Sequence, residues 1–208
     1  MFYFVKTPGW LKGLYGQCTW SIPANERVIY LSFDDGPHPT ITPFVLDELK
    51  KYNAKASFFC IGKNVLAYPE VYKRIIEEGH AVGNHSFNHL NGWKTDDAAY
   101  LDDIAEAKKY IDSNLYRPPY GRIKRFQLSQ LTGNHFKLKT IMWTVLSGDF
   151  DEKISPEKCL KNVLQHSEAG SIVVFHDSEK ANDRMRYALS GCLQYFSGKG
   201  FRFEKISV

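Results

Sequence analysis

The residues with the strongest chemical potential sit where short apolar runs end. Val28 to Phe33 is β-branched and aromatic, and it breaks into Asp34-Asp35-Gly36-Pro37. Adjacent carboxylates at a strand end repel unless a cation lies between them or they divide the labour. The Gly-Pro turn that follows aims both side chains out of the sheet. After the run His80 to Gly83 come His85 and His89. Read as one helical turn, this i, i+4 spacing puts two imidazoles on one face, where they can share an ion. Together Asp35, His85 and His89 are one carboxylate and two imidazoles with coordination positions left over. Such a set suits a divalent transition metal in a hydrolytic role, foremost Zn²⁺, with Co²⁺ or Ni²⁺ as alternatives. Asp34, beside that centre but not a ligand, is placed as a general base.

Three further strand ends carry polar groups. Leu115 to Arg117 runs into Pro118-Pro119-Tyr120-Gly121, where two prolines stiffen an extended turn beside an arginine and free backbone N–H groups. Lys139 to Leu146 runs into Ser147-Gly148-Asp149-Phe150-Asp151, and Ser171 to Phe175 into His176-Asp177. One such ending is ordinary: an acidic turn, a proline loop, a satisfied histidine. Five at the same end of successive units argue for one site.

The elements that must position these groups follow from periodicity. Strand candidates are 28–33, 56–61, 80–83, 115–117, 139–146, 171–176 and 201–206. Between them lie helical patterns such as Ile41, Val45, Leu49 and Tyr52. Thr42-Pro43 and Ser155-Pro156 read as helix starts, Thr95-Asp96-Asp97 as another, and Gly79 as a stop. Alternating strands and helices predict a single α/β domain with a parallel sheet and right-handed crossovers. A barrel with fewer than eight units and a doubly wound open sheet both fit, and both gather ligands at the carboxyl ends of the strands. Residues 1–27 show no clear period and are expected to cover one end of the sheet as an irregular segment, with residues 28–208 as the domain proper.

Composition removes other classes. With 43% apolar and 24% charged residues the chain can bury a core, which excludes disorder and coiled coil. A net charge of +4 without any block of like charges gives no reason to expect nucleic acid as a partner. No apolar run approaches the length of an integral membrane segment, and Lys6 and Pro8 interrupt the first one before a signal core forms, so a cytoplasmic location is expected. Cys18, Cys60, Cys159 and Cys192 lack any C-x-x-C pair and read as buried thiols.

Ser32-Phe33-Asp34-Asp35-Gly36-Pro37, His85-Ser86-Phe87-Asn88-His89, Arg117-Pro118-Pro119-Tyr120 and Ile172-x-Val174-x-His176 resemble, in order, four motifs of the polysaccharide deacetylases. These are the NodB homology domains of carbohydrate esterase family 4. The resemblance covers residues 27–206 and implies a distorted (β/α) barrel with about seven parallel strands. It implies metal-dependent removal of acetyl groups from N-acetylated sugars, the saccharide being the partner, with cell-envelope association as a second setting. By position, Asp35, His85 and His89 bind the metal and Asp34 is the base, paired with Arg117. The Tyr120 N–H joins the oxyanion hole, and His176 is the acid, oriented by Asp149. Ile172 and Val174 line the acetyl pocket, with Pro118, Pro119 and Phe150 on the substrate side. The fourth motif departs from the pattern: Leu146 replaces its first Asp and Phe150 its Trp. That departure keeps open a related hydrolase acting on O-acetyl esters or another non-peptide C–N bond. An inactive carbohydrate-binding module is a third reading, which the presence of Asp34 and His176 disfavours.

Overall fold

The computed structural model describes residues 3–133 and 136–207. A short helix, α1 (Gly9–Leu14), precedes the alternating elements. These are β1 (Val28–Asp34), α2 (Ile41–Lys51), β2 (Ala56–Cys60), α3 (Gly62–Ala67), α4 (Pro69–Glu77), β3 (Ala81–Asn84), α5 (Asp97–Lys108), β4 (Leu115–Tyr116), α6 (Arg125–Thr132), β5 (Lys139–Thr140), β6 (Val145–Leu146), α7 (Pro156–His166), β7 (Ile172–His176), α8 (Asn182–Gly198) and β8 (Arg202–Phe203). Seven strands form one curled sheet in the order β5-β4-β3-β2-β1-β7-β6, with β8 on the first residues of β1. All of these pairs are parallel. The expected distorted barrel is what forms.

Strand periodicity sorts the side chains. Ile29, Leu31 and Phe33 of β1, Phe58 of β2, and Val173 and Phe175 of β7 face the helices. They pack there with Val45, Leu46 and Leu49 of α2 and Met185, Leu189 and Leu193 of α8. Alternate residues point the other way, so Phe59 and Ile172 meet Leu115, Ile141 and Ile206 in the barrel interior. Ser32 and Asp34, on the same side of β1, lie in register with Val174 and His176.

The eight-residue strand expected over 139–146 is two short ones, and these are the two edges of the sheet. The link between them is bonded at both ends: Ile141 N–H donates to Tyr116 O (2.8 Å) and Thr144 N–H to Ile172 O (3.0 Å). One segment therefore reaches from β4 to β7, and it can pair with each only over a few residues. Its outer side is covered by the N-terminal segment. Thr19 N–H donates to Thr140 O, Met142 N–H to Thr19 O, and Thr7 N–H to Thr144 O, at 2.8–2.9 Å. Backbone groups that an open edge would leave unpaired are satisfied in this way.

Two helix starts match the sequence signals. Asp96 accepts from Ala98 and Ala99 N–H, and Ser155 from Lys158 N–H. The third is shifted: α2 begins at Ile41, and Thr42, expected as its cap, lies inside the first turn with its hydroxyl bonded to Asp177. Gly79, with φ +81°, follows α4 as its stop signal requires. All four cysteines are buried free thiols, and among the described residues no helix is long and apolar enough to cross a membrane.

His80, at the foot of β3, accepts the Ala56 N–H on Nδ1 (3.1 Å) and is buried. Burial, reinforced by nearby Lys55, pushes its pKa from 6.5 down to about 4. The unfolded chain binds that proton near pH 6.5 while the folded chain resists it until about pH 4. The stability at stake is therefore whole above pH 6.5 and is lost as pH falls through that window. Urea titrations should show this decline in wild type. In His80→Asn, which offers an acceptor to Ala56 without an ionisable ring, the decline between pH 6.5 and 4 should be shallower.

Candidate active site

β1 brings Asp34 and Asp35 to the rim. Asp34 is the last residue of the strand, buried, and its Oδ1 accepts from Arg117 Nη1 at 2.7 Å. Arg117 is fully buried and bonded all round: Nη1 also to Ser32 Oγ (2.8 Å), Nε to Ile141 O and Nη2 to Met142 O (3.1 Å each). Its guanidinium carbon stands 4.0 Å from the Phe59 ring centroid. Burial presses its pKa down, Asp34 opposes that, and the cation persists as the counter-charge that makes a buried carboxylate tolerable.

Asp35 turns away with φ +80°. Its Oδ1 is buried and accepts no hydrogen bond, yet it lies 3.2 Å from His89 Nε2 and 3.7 Å from His85 Nε2. Burial would raise the Asp35 carboxyl, but His89, His176 and His85 around it hold it well below the usual carboxylate range. One ligand atom from each of Asp35, His85 and His89 falls within 4.8 Å of the others. Two ligands of one tetrahedral ion sit about 3.4 Å apart, so the observed spacings and the orphaned oxygen fit a bound cation. His85 donates Nδ1–H to the Arg117 carbonyl (2.8 Å). That bond selects the tautomer whose Nε2 lone pair faces the cluster. Burial pushes His85 down to about 4, which keeps the ring neutral.

The histidine segment is not a helical turn. Residues 85–90 have no regular structure, and Ser86 and His89 have φ +62° and +60°. Those positive φ values take the segment out of helical geometry, and Asp103 on α5 pins the loop by accepting from the Phe87 and Asn88 N–H groups (3.0 Å each) and the Asn88 amide (2.7 Å). Asn84 Oδ1 takes the Ser86 N–H, and its amide donates to Ile104 O inside the fold. The imidazoles converge through loop geometry instead, with ring centroids 5.1 Å apart.

On the neighbouring strand, His176 Nδ1 bonds Asp149 Oδ1 at 2.8 Å, and its backbone N–H donates to Asp149 Oδ2 at 2.7 Å. Burial would lower the imidazole, but Asp149, with Asp35 and Asp34 beyond it, raises it to about 10. His176 thus holds a proton at neutral pH. Phe150 packs edge-on against it, centroids 5.3 Å apart. Tyr120, with φ +59°, is exposed and meets His89 at 4.5 Å. In its turn, Gly121 and Arg122 N–H bond back to Pro118 and Pro119 carbonyls. The prolines have no N–H, so Tyr120 carries the donor this turn can offer. Val174 and Ile172 are fully buried beneath His176 on its own strand, Ile172 in the apolar barrel filling. A cavity of about 310 Å³ opens over the cluster, lined by Asp35, His38, Lys63, Asn64, His89 and Asp177 among others.

Sequence reasoning assigned no role to Asp177, Asp103 or Asn64, and it read Thr42 only as a helix cap. Asp177 is buried and takes the Gly36 N–H on Oδ1 (3.0 Å) and the Thr42 hydroxyl on Oδ2, while its own N–H donates to Asp34 O (3.1 Å). It clips the carboxylate turn to the end of β7. A Cβ at Gly36 would sit 2.2 Å from Asp177 Oδ2, so the clip requires glycine there. Asn64 donates to Asp35 O at 2.7 Å. The available signal for Asp177 was its place beside His176; for Asp103 there was none short of the fold.

The description "Polysaccharide deacetylase" belongs to the family model that matches residues 21–136. Peptidoglycan-N-acetylglucosamine deacetylase of Bacillus cereus is 34% identical over 198 residues, covering 92% of each chain. Chitooligosaccharide deacetylase of Azorhizobium caulinodans is 32% identical over 163 residues, 75% of this chain and 76% of that one. The solved Bc1960 peptidoglycan N-acetylglucosamine deacetylase, in complex with a naphthalenyl N-hydroxybenzamide, superposes with a TM-score of 0.86. It is 31% identical, over 96% of this chain and 95% of that one. The curled barrel with carboxylates and imidazoles at its strand ends is thus matched, over nearly its whole length, by a solved deacetylase. The chain belongs to the polysaccharide deacetylase family.

Replacing Arg117 by Met strands Asp34 as an uncompensated buried charge. Unfolding in urea should show a loss of about 3–5 kcal/mol. Adding Asp34→Asn to that variant should recover part of the loss, because the stranded charge is gone.

Proposed function

We propose that the chain is a metal-dependent N-deacetylase of saccharides containing N-acetylglucosamine, yielding acetate and a free amine. The observation that carries this reading is the pairing of two arrangements on adjacent strands. A three-residue donor cluster, with the arginine-held Asp34 next to it, stands beside His176 bonded to Asp149. The relatives named for N-acetylglucosamine and chitooligosaccharide deacetylation support the amide of an N-acetylated sugar as substrate.

Asp35, His85 and His89 would hold a divalent transition ion, Zn²⁺ first. Bound there, it supplies Lewis acidity toward a carbonyl oxygen and a water. Asp34 takes a proton from the attacking water; Arg117 on Oδ1 fixes its direction. The Tyr120 N–H donates to the oxygen that gains charge, an interaction worth on the order of 3 kcal/mol in the transition state. An amide nitrogen leaves poorly as an anion. His176, with Nδ1–H fixed on Asp149, delivers the Nε2 proton to it as the C–N bond breaks.

Acetate release from N-acetylglucosamine oligomers should stop with a chelator and return with Zn²⁺, Co²⁺ or Ni²⁺. Asp34→Asn should retain metal and lose turnover by at least about a hundredfold, whereas Asp35→Ala should lose both, read by metal analysis beside activity. His176→Ala should spare metal and impair amide cleavage more than cleavage of an O-acetyl ester, whose alkoxide needs less help. Equal loss on both substrates removes His176 as the acid. Faster release from acetylated xylan than from the oligomers makes the chain an esterase.

A further inference from the structure

The N-terminal strip reaches the site from the far end of the sequence. Leu146 N–H donates to Val5 O (2.8 Å), Thr7 N–H to Thr144 O (2.9 Å), and Lys6 forms an antiparallel bridge with Val145. That register lays Tyr3 beside the loop that follows β6. Its ring meets Phe150 edge-on, centroids 5.1 Å apart at 62°, and Phe150 meets His176 at 5.3 Å and 73°. Both separations are those of favourable edge-to-face pairs. The Tyr3 hydroxyl lies beside the Asp151 carboxylate, and burial together with that charge pushes the phenol up to about 12, so it stays neutral. The hydroxyl also passes over Gly148: a Cβ there would lie 2.8 Å from it, and Gly148 has φ +85°. Three residues of the 148–151 loop are thus fitted to one side chain from the start of the chain.

Phe150 is only partly buried. Without Tyr3 its outer edge faces water and its ring can rotate away from the imidazole. We propose that Tyr3 is a positioning residue of the saccharide site, holding Phe150 against His176 so that the N-terminal strip backs the Phe150 side of that site. The proposal rests on the deacetylase reading for its substrate and on the packing alone for its geometry. It concerns binding more than the proton transfers, because Tyr3 touches neither Asp34 nor the donor cluster. Tyr3 acts through a ring contact, so Phe at this position should serve nearly as well, and a residue without a ring should not.

The test compares full-length wild type with Tyr3→Ala, Tyr3→Phe and, as a control on the same strip, Trp10→Ala, which removes an exposed ring. Hydroxyl-radical footprinting of the metal-free proteins reads the solvent exposure of Phe150 and needs no activity. Zinc-loaded proteins are then assayed on chitooligosaccharide. Tyr3→Ala should increase oxidation of Phe150 and raise KM by about three- to tenfold, the range spanned by one aromatic pair. Its kcat should stay within about twofold and its metal content should match wild type, while its Tm falls by only a few degrees. Tyr3→Phe and Trp10→Ala should match wild type in footprint and KM. Unchanged Phe150 oxidation in Tyr3→Ala overturns the proposal. So does an unchanged KM beside increased oxidation, or an equal effect from Trp10→Ala. If wild type releases no acetate from any saccharide, the deacetylase reading fails and with it the saccharide-site role of Tyr3, while the footprint still decides the packing.

Discussion

Everything at the rim hangs on Arg117. A buried guanidinium is costly unless its donors are matched, and here they are: to Asp34, to Ser32 and to two carbonyls of the link that joins the sheet edges. The same residue's own carbonyl fixes His85. Side chain and main chain of one residue therefore set the geometry of Asp34, the proposed base, and the tautomer of an imidazole in the donor cluster. Phe59 beneath the guanidinium plane keeps water from competing for it. The pairing of Asp34 with His176 across β1 and β7 is then a matter of register, fixed by apolar side chains on the opposite face of both strands.

Two neighbouring carboxylates acquire different environments from a single turn. Asp34 stays in the strand, against a cation. Asp35 rotates out with positive φ and faces imidazoles. Asp177 holds that turn in place from the next strand, through the Gly36 N–H and the Thr42 hydroxyl. The difference between two identical residues is thus a backbone property, enforced by residues outside the donor cluster.

Much of this was legible in the sequence, for physical reasons. Strands with apolar residues on both faces leave an unmistakable trace, and polar groups gathered at their carboxyl ends point to a shared site. What was misread depended on contacts between distant segments. The spacing of His85 and His89 suggested a helical turn, but the backbone turns to positive φ at Ser86 and His89 and the loop is held by Asp103 from α5. The run 139–146 has strand composition throughout, and only the separation of β4 from β7 divides it. Thr42 looked like a cap until Asp177 claimed its hydroxyl. Each error concerns a hydrogen-bond partner far away in the chain, which local propensity cannot reveal.

The link at Ile141–Thr144 has a consequence for when the protein becomes competent. Two of the carbonyls that receive the arginine belong to this link, at Ile141 and Met142. Drawing the two sheet margins together and seating the cation are thus a single event. A chain still ajar at this seam leaves the Asp34 carboxylate without its fixed counter-ion, so the rim takes its geometry only as the barrel wall is completed.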